Sequence, residues 1–375
     1  MTFLVAPDKF KGSLAAEEVT AAIAEGIAHF DPSAAVIPFP LADGGDGTAH
    51  ILTLHNHGRM ISVTVSNPVF EPVEAAYGIS GDGSTAYMEM AAASGLRLLP
   101  PDKQNCFHTS TYGTGEMIRD AIQRGMRKII LGIGGSATND AGIGMAAALG
   151  YRFLDNRGNI LEPVGRNLVK IKTIDRSGIS FQPGECEVLV ACDVDNPLYG
   201  PRGAAYVYGP QKGAAPEELH QLNDGLMHFA GVVKTQLGKD IAEVPGAGAA
   251  GGLGAGCMMF LDGRLVPGIQ LVMEHSGFEA AVSKCDLVIT GEGKIDEQTF
   301  RGKVVDGVCR MASKYNKPVL VVCGRNSFKE IPSGLGILAT RSLTGYFGSE
   351  KEAMTHAYHG LVQITKEILT SRQIT

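Results

Sequence analysis

The chain has 375 residues, 44% hydrophobic and 19% charged, which excludes a disordered polymer and suggests two domains at roughly 100–200 residues each. Its 33 basic and 39 acidic side chains leave a net charge of −6, which argues against a nucleic-acid groove or an anionic membrane as main partner. Glycine, at 49 residues, is about twice its usual share of ~7%; it follows no fixed period, which excludes collagen, and clusters in loops after apolar runs.

Residues 2–6 form a short apolar run closed by Pro7 and predict a strand. Ser13 is placed to cap the helix that follows, with Glu17 and Glu18 in its first turn and Val19, Ile23, Ile27 and Phe30 at helical spacing. A second strand, 34–39, leads into Leu41-Ala-Asp43-Gly-Gly-Asp46-Gly-Thr48 and another helical stretch. From Ile61 the pattern changes. Residues 61–65 alternate like a half-buried antiparallel strand, and 78–89 read as a hairpin. Buried strands recur at 128–133 and 187–191, and the chain closes with β-rich runs at 286–290, 319–323 and 336–340 separated by helices. Buried strands alternating with helices at both chain ends imply a parallel sheet covered on both faces. The expected fold class is therefore α/β. A Rossmann-like three-layer parallel-sheet domain comes from residues 1–59 and 283–375, a mixed α/β domain at 60–282 is inserted in it, and a cleft lies between them.

The seven cysteines (Cys106, Cys186, Cys192, Cys257, Cys285, Cys309 and Cys323) include no C-x-x-C pair and read as small buried hydrophobes in a reducing compartment. The N-terminus meets charge at Asp8, too early for a signal segment, and the longest uncharged stretch, 245–261, is too glycine-rich for a membrane span. A cytoplasmic protein without a membrane partner is expected.

The sharpest motif is Gly132-Ile-Gly134-Gly135-Ser136-Ala-Thr138-Asn139-Asp140-Ala-Gly142. Its glycines let the backbone curl around an anion at the start of a helix. It also fits G-x-G-x-x-A with Asp155 about 20 residues on, so an NAD(P)-dependent oxidoreductase of a small hydroxy acid is the main rival. Gly246-Ala-Gly248-Ala-Ala-Gly251 follows no convincing strand and reads as a loop or a close helix contact. There is no Walker A sequence and no nucleophile elbow, and Ser136 has no evident base partner, so it reads as a hydrogen-bond donor. Carboxylates gather at strand ends and glycine loops: Asp8, Asp43, Asp46, Asp193, Asp195, Glu292 and Asp296. Phosphoryl transfer needs such acids to hold magnesium and to take the proton of the attacking hydroxyl. Lys11, Lys212, Lys294 and Lys303 each neighbour a glycine-rich loop and suit phosphate neutralisation. His50, His55 and His57 lack a metal-site spacing and read as a solvated helix end.

Together these segments resemble the type-1 glycerate kinase family. The resemblance runs through Ala6-Pro-Asp8-Lys-Phe-Lys11-Gly-Ser13, the Asp43–Thr48 loop, Thr111-Tyr-Gly-Thr-Gly115 and Gly132–Gly142. It continues with Cys192-Asp193-Val-Asp195-Asn-Pro, Gly209-Pro-Gln-Lys212-Gly, Gly291-Glu292-Gly-Lys294-Ile-Asp296-Glu-Gln298 and Gly302-Lys303, and so covers nearly the whole chain. Lys9, Asp46 and Lys294 depart from the serine, glutamate and arginine usual in the family. The resemblance implies two α/β domains, ATP as donor, Mg²⁺, and glycerate as acceptor, with 2-phosphoglycerate the preferred product and 3-phosphoglycerate left open.

Chemical inference then assigns roles. Asp193, Asp296 and Lys11 are the catalytic candidates, and Asp193, Asp195 and Glu292 the metal-holding ones. Substrate and phosphate binding fall to Asp8, Ser13, Asp43, Gly134, Gly135, Ser136, Thr138, Asn139, Asp140, Lys212, Gly291, Glu292, Lys294 and Lys303. Small molecules, glycerate and ATP, are the expected partners, with no nucleic acid; a homodimer stays open. A non-catalytic nucleotide or metabolite sensor is the rival from another class.

Overall fold

The structure is a computed structural model that describes residues 1–371 except 180, 182–183, 298, 301 and 329–333. In chain order its strands are β1 (Thr2–Val5), β2 (Ala35–Pro38), β3 (Arg59–Ser66), β4 (Pro72–Ile79), β5 (Thr85–Glu89), β6 (Lys128–Gly132) and β7 (Arg152–Leu154). They continue with β8 (Thr173–Asp175), β9 (Glu187–Ala191), β10 (Arg264–Val266), β11 (Leu287–Ile295), β12 (Val319–Asn326) and β13 (Ile337–Ser342). The chain divides into two compact units, Met1–Asp43 with Gly268–Thr375, and Gly44–Pro267.

The first unit is built on a five-stranded sheet, β13-β12-β11-β1-β2, parallel throughout. Its central strands are apolar on both sides, as a sheet coated by helices requires: Phe3, Leu4, Val5, Val288, Ile289 and Val321 are fully buried. One face packs Phe3, Val5 and Ile289 against Val19, Ile23 and Ile27 of the helix Ala16–Phe30 and Leu361, Ile364 and Ile368 of the helix Ala357–Thr370. In order along the chain the strands run 2-1-3-4-5, the flavodoxin-like variant of the doubly wound sheet. Its topological switch point lies between β1 and β11, where strand order reverses.

Two local expectations change here. The first helix starts at Ala16, not after Ser13, because the chain first closes a tight turn in which Ser13 N–H and Leu14 N–H both bond Phe10 O, with Gly12 at φ 81°. Glu18 caps the helix instead, accepting from Ala15 N–H at 2.7 Å. The third parallel strand does not stop near Thr290. β11 runs on through Gly291, Glu292, Gly293 and Lys294, because β12 also extends to Asn326 and keeps the ladder paired. Glycine suits that extension: a Cβ at Gly291 would stand 2.1 Å from Val322 O.

The second unit carries a six-stranded sheet, β10-β9-β6-β5-β4-β3. β10, β9, β6 and β5 are parallel, and the β5-β4-β3 end is antiparallel, including the expected hairpin. Along β3, Ile61, Val63 and Val65 are partly or fully buried while Ser62 and Thr64 are exposed, as the alternation requires. Tyr77, Met88, Ile129, Leu131, Val190, Leu226, Phe229 and Phe260 belong to its core. β7 and β8 form a separate antiparallel pair. The α/β class, one parallel sheet and one mixed, is the class the sequence implies. All seven cysteines are unpaired thiols, six buried and Cys192 half-buried. Among the described residues no helix is long and apolar enough to cross a membrane.

Candidate active site

In the five-stranded unit, three acids stand at the carboxyl ends of neighbouring strands. Asp8 follows β1, Asp43 follows β2, and Glu292 lies in the extension of β11, at the switch point where doubly wound sheets bind ligands. Asp8 N–H bonds Gly291 O at 2.8 Å, so the loop after β1 is tied to β11. Asp8 and Glu292 are 7% and 5% exposed, which makes their charge costly. Burial, reinforced by Asp43, pushes Asp8 up to about 6 against the pull of Lys9 and Lys303. Burial likewise pushes Glu292 up to about 7, reinforced by Asp8 and Asp43 and opposed by the Thr299 hydroxyl and Lys303. Lys9 Nζ lies 3.8 Å from Asp8 Oδ1, and Lys9 N–H donates to the same oxygen at 2.7 Å. The fully buried Thr299 donates to Glu292 and accepts from Asp296 N–H at 3.1 Å.

The remaining candidates of this unit are placed less tightly. Lys294 is exposed and pairs with Asp296 at 2.8 Å. Lys11 is exposed, and the Ser13 hydroxyl donates to Met354 O at 3.0 Å. Gln298 lies outside the described residues.

In the six-stranded unit, adjacent parallel strands β6 and β9 pair Gly132 with Ala191, so the loops that carry Ser136 and Asp193 leave the same sheet edge. Asp193 and Asp195 are both exposed, and Asp195 lies 3.4 Å from Arg202. The loop after β6 turns inward: Gly134 and Gly135 are exposed, Ser136 is 8% exposed, and Thr138, Asn139 and Asp140 are fully buried. Ala137 N–H bonds Ser94 O at 2.9 Å, and the Thr109 hydroxyl bonds Ala137 O at 2.8 Å, which fixes the curl.

Lys212, 3% exposed, ends a short turn at Pro210–Lys212 and donates to Ser136 Oγ at 2.6 Å and Thr138 O at 2.8 Å. Burial pulls it down to about 8, with Cys106 and Asp140 acting the other way. Ser136 thus has a basic neighbour that the sequence did not reveal, 76 residues away. Asp140 accepts from Thr111 N–H and Thr111 hydroxyl at 2.8 Å each, Gly142 N–H at 3.1 Å and Gly144 N–H at 3.2 Å. Burial still raises its pKa. These bonds make it the fastener between the starts of the helices Tyr112–Gln123 and Ile143–Ala148. Thr138 Oγ1 and both polar atoms of the Asn139 amide have no hydrogen-bond partner among the described residues.

The second glycine run supports this loop. Gly251 O accepts from Ala141 N–H at 3.1 Å, and a Cβ on Gly251, at φ +70°, would stand 2.0 Å from Thr138 O. The sequence leaves Gly246–Gly251 open between a loop and a close helix contact; the structure sets Gly251 against the Thr138–Ala141 backbone.

The dinucleotide rival fails on geometry. Asp155 follows β7, which lies in the separate β7-β8 pair rather than beside β6. Its carboxylate closes its own turn, accepting from Arg157 N–H at 2.8 Å and Asn159 N–H at 2.9 Å. A ribose-binding acid belongs at the end of a neighbouring parallel strand.

Among the described residues no three His, Cys, Asp or Glu side chains gather as a ready metal site. Magnesium does not require one, since it is commonly held by one or two carboxylates plus substrate phosphates and water. The hard oxygen donors and raised pKa values of Asp8 and Glu292 fit such a cation, which would relieve their repulsion.

Comparison with known proteins gives one answer. The model of the glycerate kinase family matches residues 3–373. The chain is 45% identical to a glycerate kinase of Halalkalibacterium halodurans, over 98% of this chain and 97% of that one. It is 43% identical to the glycerate 2-kinase of Escherichia coli, over 100% and 98%. A crystal structure assigned as glycerate kinase 2 from Salmonella typhimurium LT2 superposes with a TM-score of 0.89 at 40% identity, covering 99% of this chain and 98% of that one.

Proposed function

The chain belongs to the glycerate kinase family, and from that premise we propose that it transfers the γ-phosphoryl group of ATP to D-glycerate with Mg²⁺. The observation that carries this reading is the Asp8–Asp43–Glu292 group with Lys9 and Lys303 at the switch point of the parallel sheet. Acids and lysines together suit a metal–polyphosphate, whose cation and anions both need partners. Asp8 and Glu292 would hold the magnesium, which when bound neutralises charge on the phosphates. Lys9 and Lys303 counter the phosphate charge, and Thr299 keeps Glu292 oriented. In the six-stranded unit the loop of Ser136 takes the acceptor, and Asp193, leaving the same sheet edge, accepts the proton of its hydroxyl.

Positioning and charge neutralisation carry such a reaction without a covalent enzyme intermediate. The product assigned is 2-phosphoglycerate, in line with the name of the Escherichia coli relative. A cytoplasmic location, and one domain drawn from both chain ends with the other inserted in it, belong to the same reading.

The test is ADP release in mixtures lacking one component, with phosphorus NMR of the product. ADP should form only when glycerate, ATP and Mg²⁺ are all present. Glycerate-independent ADP, or none with any hydroxy acid, defeats the reading.

A further inference from the structure

We propose that Ser136 and Lys212 form the subsite for the carboxylate of the acceptor hydroxy acid, with the buried ammonium as the cation that neutralises it. The inference rests on the glycerate kinase reading and narrows it, since the pair then binds a carboxylate and not a nucleotide phosphate.

An ammonium has three N–H donors, and Lys212 gives two to Ser136 Oγ and Thr138 O. One remains. Ser136 Oγ accepts from the lysine, so its own O–H points elsewhere and is polarised by the charge behind it. An N–H and an O–H side by side match the two oxygens of one carboxylate.

No carboxylate lies within ion-pair distance of Lys212 among the described residues, and a buried cation held only by neutral acceptors is costly. A monoanion cancels it one for one. A metal–triphosphate carries more charge of both signs and finds it in the acids and lysines of the other unit. Access is present as well: Ser136 retains 8% exposure, and Gly134 and Gly135 beside it are exposed. The unpartnered Thr138 Oγ1 and Asn139 amide add buried hydrogen-bonding capacity next to the pair.

The groups facing Lys212 define its titration. The Cys106 thiol, pushed up to about 11 by burial, is neutral through the working range, and its neighbour Glu218 is occupied with Asn105 and Ala215 N–H. Asp140 is saturated by Thr111, Gly142 and Gly144, and the Tyr208 ring lies 6.0 Å from Nζ. Burial pulls Lys212 to about 8, and a bound carboxylate raises it again. Glycerate affinity is therefore level below that pH and weakens as pH climbs past it.

The experiment uses the full chain, with D-glycerate and neutral glycerol as calorimetric probes and initial rates at varied ATP and glycerate. Lys212→Met should raise KM for glycerate about 100-fold and Ser136→Ala about tenfold, with KM for ATP within about twofold of wild type. In wild type, KM for glycerate should climb several-fold from pH 7.5 to 9.5, and Lys212→Met should erase that slope. D-glycerate should bind wild type far more tightly than glycerol, and the variants should lose that preference. If Lys212→Met does not fold, Ser136→Ala and the wild-type pH profile decide. Effects falling on KM for ATP instead, or a glycerate KM indifferent to both variants, overturn the carboxylate assignment while leaving the kinase reading standing. A wild type that neither binds nor phosphorylates glycerate overturns both.

Discussion

The two sheets bring charge inside by opposite means. At the β1–β11 switch point, buried acids crowd one another and lysines answer them. In the loop after β6 a single buried lysine rests on a serine hydroxyl and a carbonyl, and the nearest buried acid, Asp140, is occupied by four N–H and O–H donors. The first arrangement is relieved by a cation and the second by an anion. Both sit at carboxyl ends of parallel strands, so the architecture is common to them and only the sign of the buried charge differs.

The largest effect expected is kinetic. Asp193→Asn should lower kcat about 10²–10⁴-fold, the usual loss when a general base is removed. A fall of less than tenfold would take proton transfer away from the six-stranded unit and break its half of the comparison.

Gly251→Ala tests whether that unit's loop depends on its glycine support. A Cβ at φ +70° and 2.0 Å from Thr138 O must displace the Ser136–Asn139 backbone. A stability loss of about 2–4 kcal/mol in urea unfolding is expected, with glycerate KM raised and ATP KM little changed. An unchanged midpoint would show that the loop holds its shape without close contact to 246–252.

The acids and the lysine should also differ in their pH windows. Asp8 and Glu292 are raised from ordinary values near 3.8 and 4.5 to about 6 and about 7, so the folded state binds their protons more tightly than the unfolded chain does. Their contribution is complete below about pH 4 and is lost as pH rises through 6 to 7. Lys212, lowered from 10.5 to about 8, costs stability below 8 and returns it between 8 and 10.5. Metal-free Glu292→Gln should therefore gain about 1–3 kcal/mol over wild type at pH 8 and nothing at pH 4, while losing activity. An equal gain at both pH values would mean that the cost of ionising the buried carboxyl, set first by burial and then by Asp8 and Asp43, is not the cause.

The smallest effect expected is at Ser13. Its hydroxyl donates to Met354 O, so Ser13→Ala should leave both KM values within about twofold and shift the melting temperature by a degree or two. A tenfold change in KM for ATP would add Ser13 to the five-stranded unit's site.

Much of this comparison is legible in the amino-acid sequence. Asp8, Asp43 and Glu292 read from the sequence as acids at strand ends, and Lys212 and the Gly132–Asp140 loop as anion-binding elements. The pairing of Lys212 with Ser136 was not legible, because nothing local links residues 76 apart. Thr299 directly follows the Gly291–Gln298 motif, but a threonine carries no sign of accepting or donating until its partner is seen. The Gly132–Ala137 fingerprint with Asp155 was locally sound and globally wrong, since β7 left the sheet that a dinucleotide site would need.

By itself the sequence determined the α/β class, the parallel strands at both chain ends, the mixed sheet between them and the family. Hydrophobic period, glycine placement and motif order are local properties, and they persist whatever the chain packs against. Tertiary structure decided which polar groups are buried and with whom. It carried β11 through Gly291–Lys294 by giving it a long partner in β12, turned Ser13 toward Met354, closed Asp140 with four donors and left Lys212 with no carboxylate at ion-pair distance among the described residues. Burial and partnership depend on atoms distant in sequence, and in a low-dielectric interior those atoms set whether an acid keeps its proton or a lysine attracts an anion.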